Sequence, residues 1–241
     1  MKTHTKYVYR LQPEDFYQFL LEYGKGVEVL AEGESFVEFA LYEPYEGLEP
    51  VEVFEVEIIP PERAFRAKRI GNIMVLPSWL KPVVVRQGAA FGTGLHATTR
   101  LCLQMLQEYL QHGWSVLDVG TGTGILAIAS KRLGAGRVLA IDTDPVAVEE
   151  CRHNAEENCV EVNCVQAGPA DVKEKFDMLV ANLELEIFKR EIPHINNLYT
   201  KVGIFSGLFG KEELEAFLEF LGLKPAKIKK LENWYCVVVR P

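Results

Sequence analysis

Long apolar runs are missing from this chain. Nowhere do about 18 hydrophobic residues, the length of a spanning helix, stand together, and Met1-Lys2-Thr3-His4-Thr5-Lys6 leads into no apolar core of signal-peptide length. The expectation is a cytoplasmic protein with no membrane segment. A positive balance is missing too: 26 Lys and Arg face 34 Asp and Glu, for a net charge of −8 and a pI near 5.3. That excludes broad binding to nucleic acid, which needs a basic face, and favours basic partners. Sequence-specific nucleic-acid binding is not expected. Paired cysteines at metal spacing are also lacking. Five cysteines form an odd set without C-x-x-C, and the five histidines are scattered, so neither a disulfide scaffold nor a metal site is expected. Internal repeats and low-complexity tracts are absent. What remains is 241 residues, 48% hydrophobic and 25% charged, the profile of a globular protein of one or two domains.

The informative stretch is Val116-Leu117-Asp118-Val119-Gly120-Thr121-Gly122-Thr123-Gly124, followed at once by Ile125-Leu126-Ala127-Ile128-Ala129. Strand, tight glycine turn and helix N-terminus in that order make a nucleotide-binding turn of an α/β sheet. The next apolar run, Val138-Leu139-Ala140-Ile141, ends at Asp142, where a carboxylate can accept hydrogen bonds from both hydroxyls of a ribose. The spacing is G-x-G-x-G rather than the dinucleotide G-x-G-x-x-G, and Asp118 stands just before the turn. A carboxylate there repels phosphates and suits a cationic ammonium. A ligand with a ribose, an ammonium and no phosphate is S-adenosylmethionine. The competing reading of the same glycines is a purely structural strand-to-helix turn.

Taken in order, residues 1–59 read as a small β-α-β-β-β unit. Tyr7–Leu11 is strand-like, Pro13 opens a helix carrying Phe16, Phe19 and Leu20, and Glu32-Gly33-Glu34 separates the arms of a hairpin. No chemical motif appears in this unit, which suits packing or partner recognition. Pro60-Pro61 marks the boundary, and residues 60–70 form a basic linker. The larger domain, 71–241, contains the loop Phe91-Gly92-Thr93-Gly94-Leu95-His96-Ala97-Thr98-Thr99, whose glycine hinges suggest a lid. An amphipathic helix follows it, with Thr98 or Thr99 as N-cap. Further strands are expected at Val160–Val165, Phe176–Ala181 and Val202–Leu208, a helix at Asp144–Asn158 opened by Pro145, a helix at Glu212–Leu221, and a closing pair at Lys227–Leu231 and Tyr235–Val239. Strands alternating with helices and ending in a β pair predict an α/β, doubly wound, mostly parallel seven-stranded Rossmann-like sheet with an antiparallel last strand.

From about Gly71 onward these residues resemble the class I S-adenosylmethionine-dependent methyltransferases, and within them the bacterial ribosomal protein L11 methyltransferases. The resemblance is carried by Phe91-Gly92-Thr93-Gly94 with His96, Thr98 and Thr99; by Asp118 to Ala129 with Ile141-Asp142-x-Asp144-Pro145; and by Val180-Ala181-Asn182-Leu183. Weaker echoes are Arg69-Ile70-Gly71, Pro77-Ser78-Trp79 and Glu232-Asn233-Trp234. The resemblance implies a protein-lysine N-methyltransferase that uses S-adenosyl-L-methionine and releases S-adenosyl-L-homocysteine. Its substrate would be L11, free or on the ribosome, modified on lysine side chains and an α-amine by a monomeric enzyme. Carried over by position, Thr99, Gly120, Asp142 and Asn182 bind the cofactor, with Asn182 near the incoming amine. His96 belongs to the closing loop, and Asp118 and Gly122 extend the pocket. No general base is assigned. Two departures lie where a protein substrate would be recognised: a short N-terminal domain, and Leu183-Glu184-Leu185-Glu186 where many members have smaller residues. Other readings are methylation of a different protein or a small-molecule amine, and a noncatalytic module. The Asn-Pro-Pro-Tyr element of amide and base methylation is lacking, and the glycine spacing disfavours a dehydrogenase.

Overall fold

The computed structural model describes residues 3–57, 67–86 and 94–241. Pro60-Pro61 and Phe91-Gly92-Thr93 lie outside the described residues. The chain divides into two compact units, Met1–Leu80 and Lys81–Pro241.

The first unit begins with strand β1 (Thr3–Leu11), helix α1 (Pro13–Tyr23), β2 (Glu28–Glu32), β3 (Val37–Leu41) and β4 (Glu52–Glu57), in the antiparallel order β2-β3-β1-β4. Pro13 sits in the first turn of α1, where its missing N–H costs nothing, and Gly24 ends the helix in the left-handed region at φ 63°. Phe16 and Phe19 of α1 meet Phe39 of β3, both at ring-centroid distances of 4.9 Å. With Tyr9, Val37 and Leu41 they form a small aromatic core. A separate hairpin, β5 (Lys68–Ile70) with β6 (Ile73–Val75), turns at Gly71. Lys68–Ile70, expected to close the linker, is thus a strand of the first unit, and the division between units falls after Leu80.

The second unit contains α2 (Ala97–Tyr109), β7 (Ser115–Val119), α3 (Ile125–Arg132), β8 (Arg137–Asp142), α4 (Pro145–Glu157), β9 (Asn163–Gln166) and β10 (Phe176–Asn182). It continues with α5 (Leu185–Ile195), β11 (Tyr199–Phe209), α6 (Gly210–Leu221), β12 (Pro225–Leu231) and β13 (Trp234–Val239). The sheet order is β12-β13-β11-β10-β7-β8-β9. From β9 to β11 the pairing is parallel, and β13 runs antiparallel to both its neighbours. The period-2 alternation of side chains sorts the sheet into two layers. Val116, Val138, Val180 and Ile204 pack with Leu101 and Met105 of α2, Leu126 of α3 and Val148 of α4. Leu117, Ile141, Leu179 and Phe205 pack on the other face with Phe188 and Ile192 of α5 and Phe217 of α6.

Several expectations shift locally. The third strand starts at Asn163, not Val160, because the end of α4 consumes those residues. Cys159 adopts φ 51°, and Cys159 N and Val160 N donate to Glu156 O and Ala155 O at 2.9 and 3.1 Å, a Schellman closure. Helix α5 has no counterpart among the sequence expectations, since Pro193 inside it reads as a break. Phe188, Ile192 and Ile195, all buried on one face, are the period that reveals it. Cys151 and Cys164, expected to stay unpaired, are joined between α4 and β9. Both sheet edges are protected. Strand β9 has only four residues, and β12 carries Lys227, Lys229 and Lys230, with Lys227 paired to Glu108 at 2.6 Å.

Candidate active site

Strand β7 has β8 on one side and β10 on the other, so the chain order reverses between β7 and β10. That reversal opens a crevice at the carboxyl ends of the strands. A cavity of about 540 Å³ occupies it. Val119, Gly120 and Gly122 line it from the turn after β7, Ile141 and Asp142 from the end of β8, and Asn182 from the end of β10.

The turn is fixed by its own backbone: Gly120 N and Thr121 N both donate to Ile141 O, at 2.9 and 3.0 Å. Gly120 adopts φ 71° and Gly124 φ 82°, conformations that cost a side-chain-bearing residue about 1 kcal/mol or more. Gly124 has a second reason to be bare. A Cβ there would stand 3.1 Å from Cys151 Cα, so the turn and α4 can touch only through glycine.

Asp142 is held on the wall by two amides. Gly122 N donates to its Oδ2 at 3.0 Å and Asp144 N to its Oδ1 at 3.1 Å, which leaves each oxygen a second lone pair for a ligand hydroxyl. The amide of Gly122, which a phosphate would use in a dinucleotide site, is therefore occupied by a carboxylate. Asp144 caps α4 by accepting from Val146 N at 2.9 Å and also lines the cavity. Among the lining residues Arg190 is the single Lys or Arg, and its Nε is bonded to Glu191 at 2.6 Å. This donor set suits a neutral polyhydroxylated group and a cation, and rejects a pyrophosphate.

Asp118 is placed differently from its expected role. It is fully buried and absent from the cavity wall. Its Oδ2 accepts from Thr121 Oγ1 at 2.7 Å and Ala127 N at 3.1 Å, so the carboxylate ties the turn to the first turn of α3 from beneath. Its Oδ1 has no hydrogen-bond partner among the described residues. Burial pushes its pKa up to about 7, against the lowering effect of the Thr121 and Ala127 bonds. Asp118, expected to extend the pocket and suit an ammonium, thus lies beneath the turn and off the cavity wall, where it supports the turn.

Across the cavity, Asn182 donates through Nδ2 to Thr99 Oγ1 at 3.5 Å. Thr99 itself is buried and off the wall. The N-cap of α2 is His96 rather than Thr98 or Thr99. Its Nδ1 lies 2.8 Å from Thr98 Oγ1 and 3.4 Å from Thr98 N, so the helix begins earlier than the threonines suggest. The His96 ring meets Trp234 edge-on at 4.8 Å, and Phe209 packs on the same indole at 4.9 Å. His96, Asn182, Leu183, Gly207 and Trp234 thus line a less polar part of the cavity. Trp234 was visible only as a faint echo, and Ile187, Arg190 and Glu191 arrive on the unanticipated helix α5.

The chain is similar to known proteins. The chain is 49% identical over 237 residues to a ribosomal protein L11 methyltransferase of Aquifex aeolicus, covering 97% of each. It is 41% identical over 193 residues to the enzyme of the same name from Caldicellulosiruptor saccharolyticus, covering 74% of this chain and 64% of that one. A crystal structure of ribosomal protein L11 methylase from Lactobacillus delbrueckii subsp. bulgaricus superimposes with a TM-score of 0.58 at 31% identity, covering 61% of this chain and 80% of the other. The family description "Ribosomal protein L11 methyltransferase (PrmA)" matches residues 62–241, which takes in the turn, Asp142, Asn182 and Trp234 alike, and the chain belongs to that family.

Proposed function

We propose that this protein is an S-adenosyl-L-methionine-dependent methyltransferase that modifies lysine side chains and an α-amine of ribosomal protein L11. The observation that carries the cofactor assignment is Asp142, held on the cavity wall by Gly122 N and Asp144 N, where it can accept from both ribose hydroxyls. The donor chemistry fits: a cation and a neutral sugar face carboxylates, and among the described lining residues the one Lys or Arg is Arg190, whose Nε is bonded to Glu191. Bound there, the cofactor supplies a methyl group on a positively charged sulfur, already activated for transfer to an amine, with the neutral thioether S-adenosyl-L-homocysteine leaving.

The residues of the chain then have three tasks. Gly120 and Gly122 bring bare backbone to the ligand, and Asp118 holds their turn through Thr121 and Ala127. Asn182, with Nδ2 turned to Thr99, keeps its carbonyl oxygen for an N–H of the incoming amine. His96, Trp234 and Leu183 exclude water around that amine, and desolvation favours the neutral form that attacks. Alignment of the two reactants contributes up to roughly 7–11 kcal/mol in well-oriented systems, so no general base is required in the transfer itself. The ammonium proton is lost to water beforehand.

The first unit serves L11 recognition in this reading. Residues 1–57 hold four Lys or Arg against thirteen Asp or Glu, so they carry −9 while the rest of the chain carries +1. An acidic surface steers a basic protein. The enzyme works as a cytoplasmic monomer, on L11 free or on the ribosome. Incubating the protein with unmethylated L11 and S-adenosyl-L-methionine should add methyl increments to L11, detected by mass spectrometry. Asp142→Ala should weaken cofactor binding by about 100-fold, roughly 2.7 kcal/mol. Transfer only to RNA or to free amines would refute the substrate, and unchanged affinity in Asp142→Ala would refute the ribose assignment.

A further inference from the structure

Residues Pro82–Arg86 form a strand-like strap. Val83 and Val85 pack on the core while Val84 is half exposed, the alternation of an extended chain. Their backbone is bonded by two asparagine side chains, Asn154 of α4 and Asn158 at its C-cap. Val84 N donates to Asn158 Oδ1 at 2.8 Å and Asn158 Nδ2 returns a bond to Val84 O at 2.6 Å, an imitation of a strand pair. Arg86 N donates to Asn154 Oδ1 at 2.9 Å. Asn154 then uses Nδ2 to reach Thr123 O at 2.8 Å, and Thr123 stands between Gly122 and Gly124. Asn158 Nδ2 also donates to Asn154 O at 2.7 Å. Both asparagines are almost fully buried, at 1% and 2% exposure.

A buried primary amide is costly unless its bonds are made, and here the partners are specific. The bonds run from the strap through Asn158 and Asn154 to Thr123, whose neighbour Gly122 holds Asp142. We propose that Asn154 and Asn158 are positioning residues that latch the strap to the cofactor turn, so that cofactor binding and strap docking stabilise one another. This rests on the cofactor reading given above. By linkage the coupling is reciprocal: the cofactor must tighten the strap by the factor by which the docked strap tightens the cofactor. Asn158 is the discriminating position. Among the described residues it lines no part of the cavity and bonds toward the turn only through Asn154.

Two measurements on the full chain decide it, with S-adenosyl-L-homocysteine as the probe. In the wild type, amide exchange at Val84 and Arg86 should slow about tenfold when the probe is added, a coupling of ordinary size. In Asn158→Ala, calorimetry should show Kd raised about tenfold, with Asn158→Asp intermediate. Wild-type binding with unchanged exchange at both amides overturns the latch, and this outcome does not depend on any variant folding. A folded Asn158→Ala with wild-type Kd overturns it as well. Failure of the wild type to bind the probe at all overturns the cofactor reading and the latch together.

Discussion

Both units carry ion pairs at the surface, but the second also buries a bonded set of polar side chains around its glycine turn. In the first, Lys6–Glu28, Arg10–Glu38 and Lys25–Glu43 pair around a small aromatic core. Two of these pairs are well exposed, and such pairs contribute little to stability. In the second, Asp118, Thr121, Thr123, Asn154 and Asn158 are all buried, with Asp118 bonded to Thr121 and the Ala127 amide, and Asn154 and Asn158 bonded to backbone. Buried polar groups tolerate few alternative arrangements. The contrast teaches that the first unit can change its charge without changing its fold, whereas the second has committed its polar atoms to one geometry of the site.

The largest test asks whether the aromatic core belongs to the first unit alone. Phe39→Ala removes the ring that Tyr9, Phe16 and Phe19 share, a loss of about 3–5 kcal/mol. It should unfold the first unit while leaving S-adenosyl-L-homocysteine binding in place. Loss of both in one transition, followed by circular dichroism and calorimetry, would erase the distinction between the units.

The next test concerns the committed interior. Asp118 has its pKa raised from 3.8 to about 7, so the protonated form suits the folded state. The stability it lends is complete at low pH and is lost as pH rises toward about 7. Relative to Asp118→Asn, the wild type should therefore lose up to about 1.4 kcal/mol per pH unit between about pH 4 and 7. Denaturant midpoints of both proteins at several pH values measure this, and parallel profiles would remove Asp118 from the account. The smallest effect belongs to the first unit's surface. Neutralising exposed Glu43, Glu46 and Glu49 to Gln should leave the melting temperature unmoved and raise KM for L11 a few-fold, most at low salt. An unchanged KM would mean that the acidic surface faces no substrate.

What could be read from residues alone follows the same division. The turn and Asp142 were legible because glycine spacing and strand periodicity act over a few residues. Helix α1 was legible for the same reason, with Pro13 and Gly24 at its ends. Asn154 and Asn158 were not, since their partners Val84 and Arg86 lie 74 and 68 residues away. Nor could spacing tell that Asp118 sits under the wall instead of on it. The start of β9 was lost to the left-handed Cys159, a conformation that glycine usually announces, and α5 was hidden by Pro193.

The lysines of β12 have a consequence beyond the folded monomer. Two copies approaching edge to edge along this strand would align Lys227, Lys229 and Lys230 with their own images, and like charges directly opposite repel. The other end of the sheet, the four-residue β9, is too short to template much pairing. A nascent chain whose parallel strands are still assembling therefore presents poor seeds for cross-chain sheets, and its solubility while folding is written into the two edge strands of the sheet.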